Sequence, residues 1–148
     1  MKKLLPPHLF VLSVIGIVLS GFLELSHYPI PYPFNLLGLV LLFLGLGIAN
    51  WHKALFARRK TNIFTFEQPD RLVKEGLFRY SRNPMYLGFV LALGGVVLLV
   101  RGGWVSWLIW GFFGLVVDRW YILYEEKVMQ NKFGEEYLAY REEVRRWL

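Results

Sequence analysis

Residues 79–88 read RYSRNPMYLG and place a positive, helix-breaking knot at the mouth of a long apolar run. Arg79 and Arg82 ask for water or phosphate. Asn83-Pro84 stops a helix arriving from the N-terminal side, because proline lacks the backbone N–H and restricts the residue before it. The same missing N–H costs least at the first position of a new helix. The knot therefore reads as the start of a helix whose body, Tyr86 to Val100, is YLGFVLALGGVVLLV without a charge.

Three further apolar stretches flank it. They are Leu9 to Leu25, Phe34 to Asn50, and Trp104 to Val117 with a continuation to Tyr124. Of the 148 residues 55% are hydrophobic and 18% aromatic. A soluble domain of this length cannot hide so much apolar surface, so part of it is expected to face lipid. Several stretches fall short of the ~20 residues of a full span. Arg101-Gly102-Gly103 is a compact turn that joins the last two into a tight hairpin. Glycines 38, 45, 47, 94 and 95 within the stretches let helices approach closely. The first stretch also has the basic start and apolar middle of a signal peptide, but no small-residue cleavage site follows it. The expected fold is an all-α integral membrane protein, a single domain over 1–148. Its four transmembrane helices lie at about 8–25, 34–51, 85–100 and 104–124.

Basic residues set the orientation. With the N-terminus in the cytosol, all but Arg101 of the 17 Lys and Arg fall on the cytosolic side, as the positive-inside rule asks. Both termini are then cytosolic. The net charge of +6 flanks apolar runs, so the partner it points to is membrane lipid and not nucleic acid. The absence of cysteine excludes disulfides, thiolate metal sites and cysteine nucleophiles.

Two cytosolic segments remain. The connection at 52–84 carries Ile63, Phe64, Phe66, Leu72, Val73, Leu77 and Phe78, enough apolar anchors to pack under the bundle. The tail at 125–148 places Met129, Phe133, Tyr137, Tyr140, Val144 and Trp147 at intervals of three and four, a helical stripe. Gly134 divides it into two amphipathic helices. One reading lays them on lipid headgroups. The other folds them under the bundle as a lid, which the alternation of acidic and basic residues favours.

Most chemistries can be set aside. The three histidines are scattered without metal spacing, so no metal is expected. No glycine-rich nucleotide loop is present, and no serine sits in a nucleophile elbow. What is left is a concentration of DRLVKEGLFRYSRNPMYLG (70–88) and DRWYILYEE (118–126) at one end of the hairpin. Ionisable groups at a bundle's margin are candidates for function; interface anchoring by Tyr, Trp and Arg is the plainer account.

GLFRYSRNPMYLG followed by EEKVMQNKFGEEYLAYREEVRRW resembles the isoprenylcysteine carboxyl methyltransferase and phospholipid methyltransferase superfamily over Leu72 to Trp147. The resemblance implies S-adenosylmethionine as methyl donor, held on the cytosolic side, and a lipophilic or lipid-like acceptor, carboxylate or amine. It implies cofactor contacts at Asp70, Arg71, Leu72 and Val73, at Phe78, at Asn83, Pro84, Met85 and Tyr86, and at Glu125. The bottom-up chemistry is compatible. A carboxylate suits the donor's ammonium, and aromatic faces suit its adenine or its cationic sulfur. Arg82 could take the donor's carboxylate or an anionic headgroup. Methyl transfer is a direct displacement that in-line positioning can accelerate, by on the order of 7–11 kcal/mol. A base is needed only for a protonated amine or a phenol, and Glu126 or Tyr86 could serve.

The chain departs from the prenylcysteine enzymes at two places. Asn83 stands where they carry His, so no group titrates there near neutral pH. Tyr121 stands where the eukaryotic enzymes carry an Arg for the substrate carboxylate. A small amphiphile reached laterally from the bilayer is therefore expected, more than a prenylated protein. Two other readings stand beside this one: an NADPH-dependent reductase of the sterol-reductase kind, and a non-catalytic scaffold that binds anionic lipid or a partner.

Overall fold

The computed structural model describes residues 5–23, 30–58 and 71–148. Within them the chain is helical: α1 (Pro6–Phe22), α2 (Leu37–Arg58), α3 (Pro84–Leu99), α4 (Trp104–Val116), α5 (Leu123–Phe133) and α6 (Glu135–Glu143). Short 3-10 turns at Phe34–Leu36 and Gly76–Arg79 precede α2 and α3.

The knot does what the sequence predicts. Pro84 is the first residue of α3, and Asn83 lies just outside in a non-helical conformation. α3 is apolar on all sides and is the centre of the molecule, packed against α2, α1 and α4. Leu93, Val97, Phe113, Val117 and Ile17 form a fully buried core where α1, α3 and α4 meet.

The α2–α3 seam is set by glycine. A Cβ on Gly38 or Gly45 would run into the carbonyl oxygens of Gly95 and Gly88. A Cβ on Gly88 would stand 2.6 Å from the Gly45 oxygen, and one on Gly95 2.6 Å from the Leu42 nitrogen. The opposing atoms are backbone and cannot swing aside. Two pairs of small residues thus bring the helices into backbone contact.

α3 ends in the expected turn. Arg101 takes a positive φ of 53° and Gly102 N–H returns to the Val97 oxygen at 2.9 Å. Ser20 of α1 and Ser106 of α4 share a buried hydrogen bond of 2.8 Å.

Two boundaries differ from expectation. α2 does not stop where the span was expected to end at 51 but runs on to Arg58. His52 and Phe56 are buried there and stack on each other at 4.4 Å and against Phe78. The helix expected to span 104–124 likewise runs on beyond it. α4, a π-helical segment at Val117–Ile122 and α5 form one uninterrupted run to Phe133. The chain turns only at Gly134, where φ is +50°. Neither 111 nor 114, both glycine, breaks a helix whose neighbours all favour it.

By length and hydropathy, one described helix is able to cross a bilayer: Phe34–Arg58, with little of its surface buried. Pro6–Phe22 and Pro84–Leu99 are apolar but shorter.

Candidate functional site

The knot and the α4–α5 helix meet at one end of the bundle, and the tail closes over them. Tyr86, on the first turn of α3, donates its hydroxyl to Glu125 Oε1 at 2.7 Å. One residue on, Glu126 is buried, with Arg82 Nη1 3.3 Å from Oε1 and Arg146 Nη2 2.7 Å from Oε2. Arg146 Nε adds a second bond to Oε1 at 3.1 Å, so the pair is bidentate. Arg146 also reaches Asp118 at 3.4 Å, and the Trp147 indole N–H donates to that carboxylate at 2.9 Å.

The π-helical segment makes this possible. Eight residues separate Asp118 from Glu126, which on a regular α-helix leaves them about 80° apart. One residue inserted by a π-turn restores a near-heptad spacing, where the drift is only about 20°. Both carboxylates can then face one guanidinium.

The C-terminal strap is tied to the knot by backbone bonds. Arg82 N–H donates to the Arg145 oxygen and Asn83 Nδ2 to the Arg146 oxygen, each at 3.0 Å. Tyr140 donates to the Phe78 oxygen at 2.7 Å. Burial pushes the Tyr140 and Tyr137 phenols up from their ordinary range. Arg146 is pushed up chiefly by its hydrogen bonds to Glu126. Tyr137, Tyr140 and Val144 form a second small core with Leu72, Met129 and Phe133. The stripe read from the sequence thus packs inward, on Leu72 and, at Trp147, on the main core.

Between these parts lies a cavity of about 50 Å³. Leu72, Val73, Phe78, Arg82, Asn83, Glu125 and Glu126 line it, and Tyr86 reaches it through Glu125. Pro84 is buried as the first residue of α3, and Met85 packs on the main core. Arg71 is exposed and does not line the cavity, and Asp70 lies outside the described residues. Sequence reasoning missed Phe56, Met129, Tyr137 and Tyr140 as lining residues, and Arg146 and Asp118 as the clasp. The tail's three-and-four stripe carried a signal for all but Phe56 and the clasp. The pairing of Arg146 with Asp118 is a tertiary fact that no local pattern encodes.

The donor set is suited to a zwitterionic, aromatic ligand. It offers carboxylates to an ammonium, a guanidinium to a carboxylate and rings to a heterocycle. Arg82 is especially placed, because its side chain is 9% exposed and its buried Nε has no hydrogen-bond partner. Among the described residues no group of His, Cys, Asp and Glu could hold a metal ion.

Residues 34–136, which hold the first motif and the second as far as Glu136, match the family model for phospholipid methyltransferases. The chain belongs to the phospholipid methyltransferase family. Within curated sequences, the family member is 39% identical over 77 residues to a protein-S-isoprenylcysteine O-methyltransferase of Schizosaccharomyces pombe, 49% of this chain and 30% of that one. It is 29% identical over 113 residues to protein-S-isoprenylcysteine O-methyltransferase A of Arabidopsis thaliana, 72% of this chain and 55% of that one. An uncharacterised Haemophilus influenzae protein is 41% identical over 64 residues, 43% of this chain and all of its own length. The family member thus spans about half or less of the two named methyltransferases.

Proposed function

We propose that the protein transfers a methyl group from S-adenosylmethionine to a lipophilic, lipid-like acceptor at the cytosolic face of a membrane. One observation carries this reading: both motifs of a methyltransferase family member converge on one cavity, through the Tyr86–Glu125 bond and the Arg82–Glu126 pair. When bound, the donor supplies an activated methyl group on a cationic sulfur.

The protein's own part is positioning. Glu125 holds the donor's ammonium, with its carboxylate fixed by Tyr86. Arg82 receives the donor's carboxylate on its spare Nε–H. Phe78 and Phe56 give apolar faces to the adenine, and Leu72 and Val73 border it. Asn83 and Pro84 keep the start of α3 beside these groups. Glu126 is engaged by Arg82 and Arg146. A carboxylate acceptor needs no base at all.

A cavity of about 50 Å³ holds one or two waters, at roughly 30 Å³ each, and ligand sites usually run to hundreds of Å³. The site therefore opens to load. The C-terminal strap is the element that moves, and its release breaks the Arg146 and Trp147 clasp on Glu126 and Asp118 together with the ties to the knot.

The membrane frame is four spans, α1 to α4 with the turn before α2, and both termini in the cytosol. Cysteine scanning tests it in this cysteine-free chain. Arg101→Cys should react with an impermeant maleimide from outside intact cells, and Leu148→Cys should not; the opposite result reverses the orientation.

The activity is tested with protein reconstituted in a total membrane lipid extract and a donor labelled in its methyl group. Label should move into the organic phase, and excess S-adenosylhomocysteine should stop it. Protein-dependent oxidation of NADPH without label transfer would favour the reductase reading instead.

A further inference from the structure

A second hollow lies behind the cavity wall. It is a groove of about 670 Å³ between α2 and the 3-10 turn at Gly76–Arg79, with Phe43, Gly47 and Trp51 on one side and Leu77, Arg79 and Tyr80 on the other. Phe78, between Leu77 and Arg79, turns the opposite way into the cavity.

The sequence builds this trough with two glycines. Phe43, Gly47 and Trp51 recur every four residues on one face of α2, and the middle one has no side chain. A Cβ on Gly47 would meet no atom within 4 Å, so the space above it is open. Gly76 has φ +61°, and a Cβ there would run into the Trp51 ring. Glycine at 76 lets the indole lie across the turn and close one end of the trough.

The groove opens on the outer face of α2, the helix long and apolar enough to cross a bilayer. Phe43 is 67% exposed and Tyr80 70%. Its length, eight residues at 1.5 Å from Phe43 to Trp51, is about 12 Å. One leaflet's hydrocarbon is about 15 Å deep. Arg79 is the one charged residue in the groove's lining and is exposed, and among the described residues no carboxylate pairs with it.

We propose that this groove seats one acyl chain of an anionic membrane lipid, with the lipid phosphate on Arg79. The trough is lined by apolar residues and a single cation, which matches such a lipid in chemistry and in sign. The proposal rests on the membrane-embedded reading of α2 and not on methyl transfer.

Native mass spectrometry of delipidated protein in detergent tests it, with phosphatidylglycerol and phosphatidylcholine of identical chains. Phosphatidylglycerol should be retained about fivefold better, the preference one cation gives near a surface. Arg79→Gln should bring the two lipids level. Gly47→Phe, which fills the trough at an open surface position, should abolish retention of both, with helix content checked by circular dichroism. A large excess of inorganic phosphate should not displace the lipid. Equal retention of both lipids by the unaltered protein overturns the proposal. So does undiminished retention by Gly47→Phe, or displacement by phosphate alone. Should Gly47→Phe fail to fold, the Arg79→Gln comparison decides.

Discussion

At the scale of single residues, the site turns on what surrounds Glu126. Two guanidiniums, Arg82 and Arg146, converge on this buried carboxylate. A buried ion pair is weak evidence for stability, but breaking one leaves uncompensated charge and costs about 3–5 kcal/mol. Glu126→Ala should therefore destabilise the fold by about 3 kcal/mol, read by denaturant unfolding in detergent; a loss below about 1 kcal/mol, the range of exposed pairs, would contradict it. Tyr140 gives a pH prediction. Its hydroxyl donates to the Phe78 oxygen and burial raises its pKa. A raised folded value stabilises the lid fully below the unfolded tyrosine pKa of about 10. That stability is lost as pH climbs through the folded value. Hydrogen exchange of α6 should accelerate only above that range, in step with late-titrating tyrosinate absorbance. Tyr140→Phe should lower stability by about 1 kcal/mol and remove one late-titrating phenol. Asn83 shows how a residue can be legible in place and not in its partners. The motif located it beside the cavity, and its amide also donates to the Arg146 oxygen, a partner that nothing local in the sequence announces.

Among elements, the sharpest contrast is between neighbouring glycines on α2. Gly45 faces the backbone of α3, whereas Gly47 faces open space. Gly45→Ala should destabilise by about 1–3 kcal/mol, the usual range for overpacking, because the atoms it meets are backbone. Gly47→Ala should be neutral or stabilising by up to about 1 kcal/mol, since alanine is the better helix former. Thermal unfolding of the two variants side by side checks both, and equal effects would contradict the seam described above. The sequence made the helices, the turn at Arg101 and the break at Gly134 readable, because proline, glycine and apolar runs act locally. It did not distinguish the two glycines, since which face of α2 meets α3 is decided by packing. The π-helical segment was equally hidden: VDRWYI carries no local mark, and only the convergence of Asp118 and Glu126 on Arg146 gives it a purpose.

On the scale of the whole molecule, a central apolar helix, a close-packed partner and a long helix returning beside it bring two distant motifs to one end. The tail then folds back over them. The hairpin connectivity was enough to place Arg82 and Tyr86 opposite Glu125 and Glu126 from sequence. The lid's inner face was readable from its stripe, while the clasp by Arg146 and Trp147 was not, because a charged C-terminus looks the same whether solvated or docked. This closed end is the proposed seat of the methyl donor. Isothermal titration of detergent-purified protein with S-adenosylhomocysteine tests it most directly, run on the unaltered chain and on Glu125→Ala. The account predicts saturable one-to-one binding that Glu125→Ala abolishes. No heat at millimolar ligand, or equal affinity in both proteins, would contradict it.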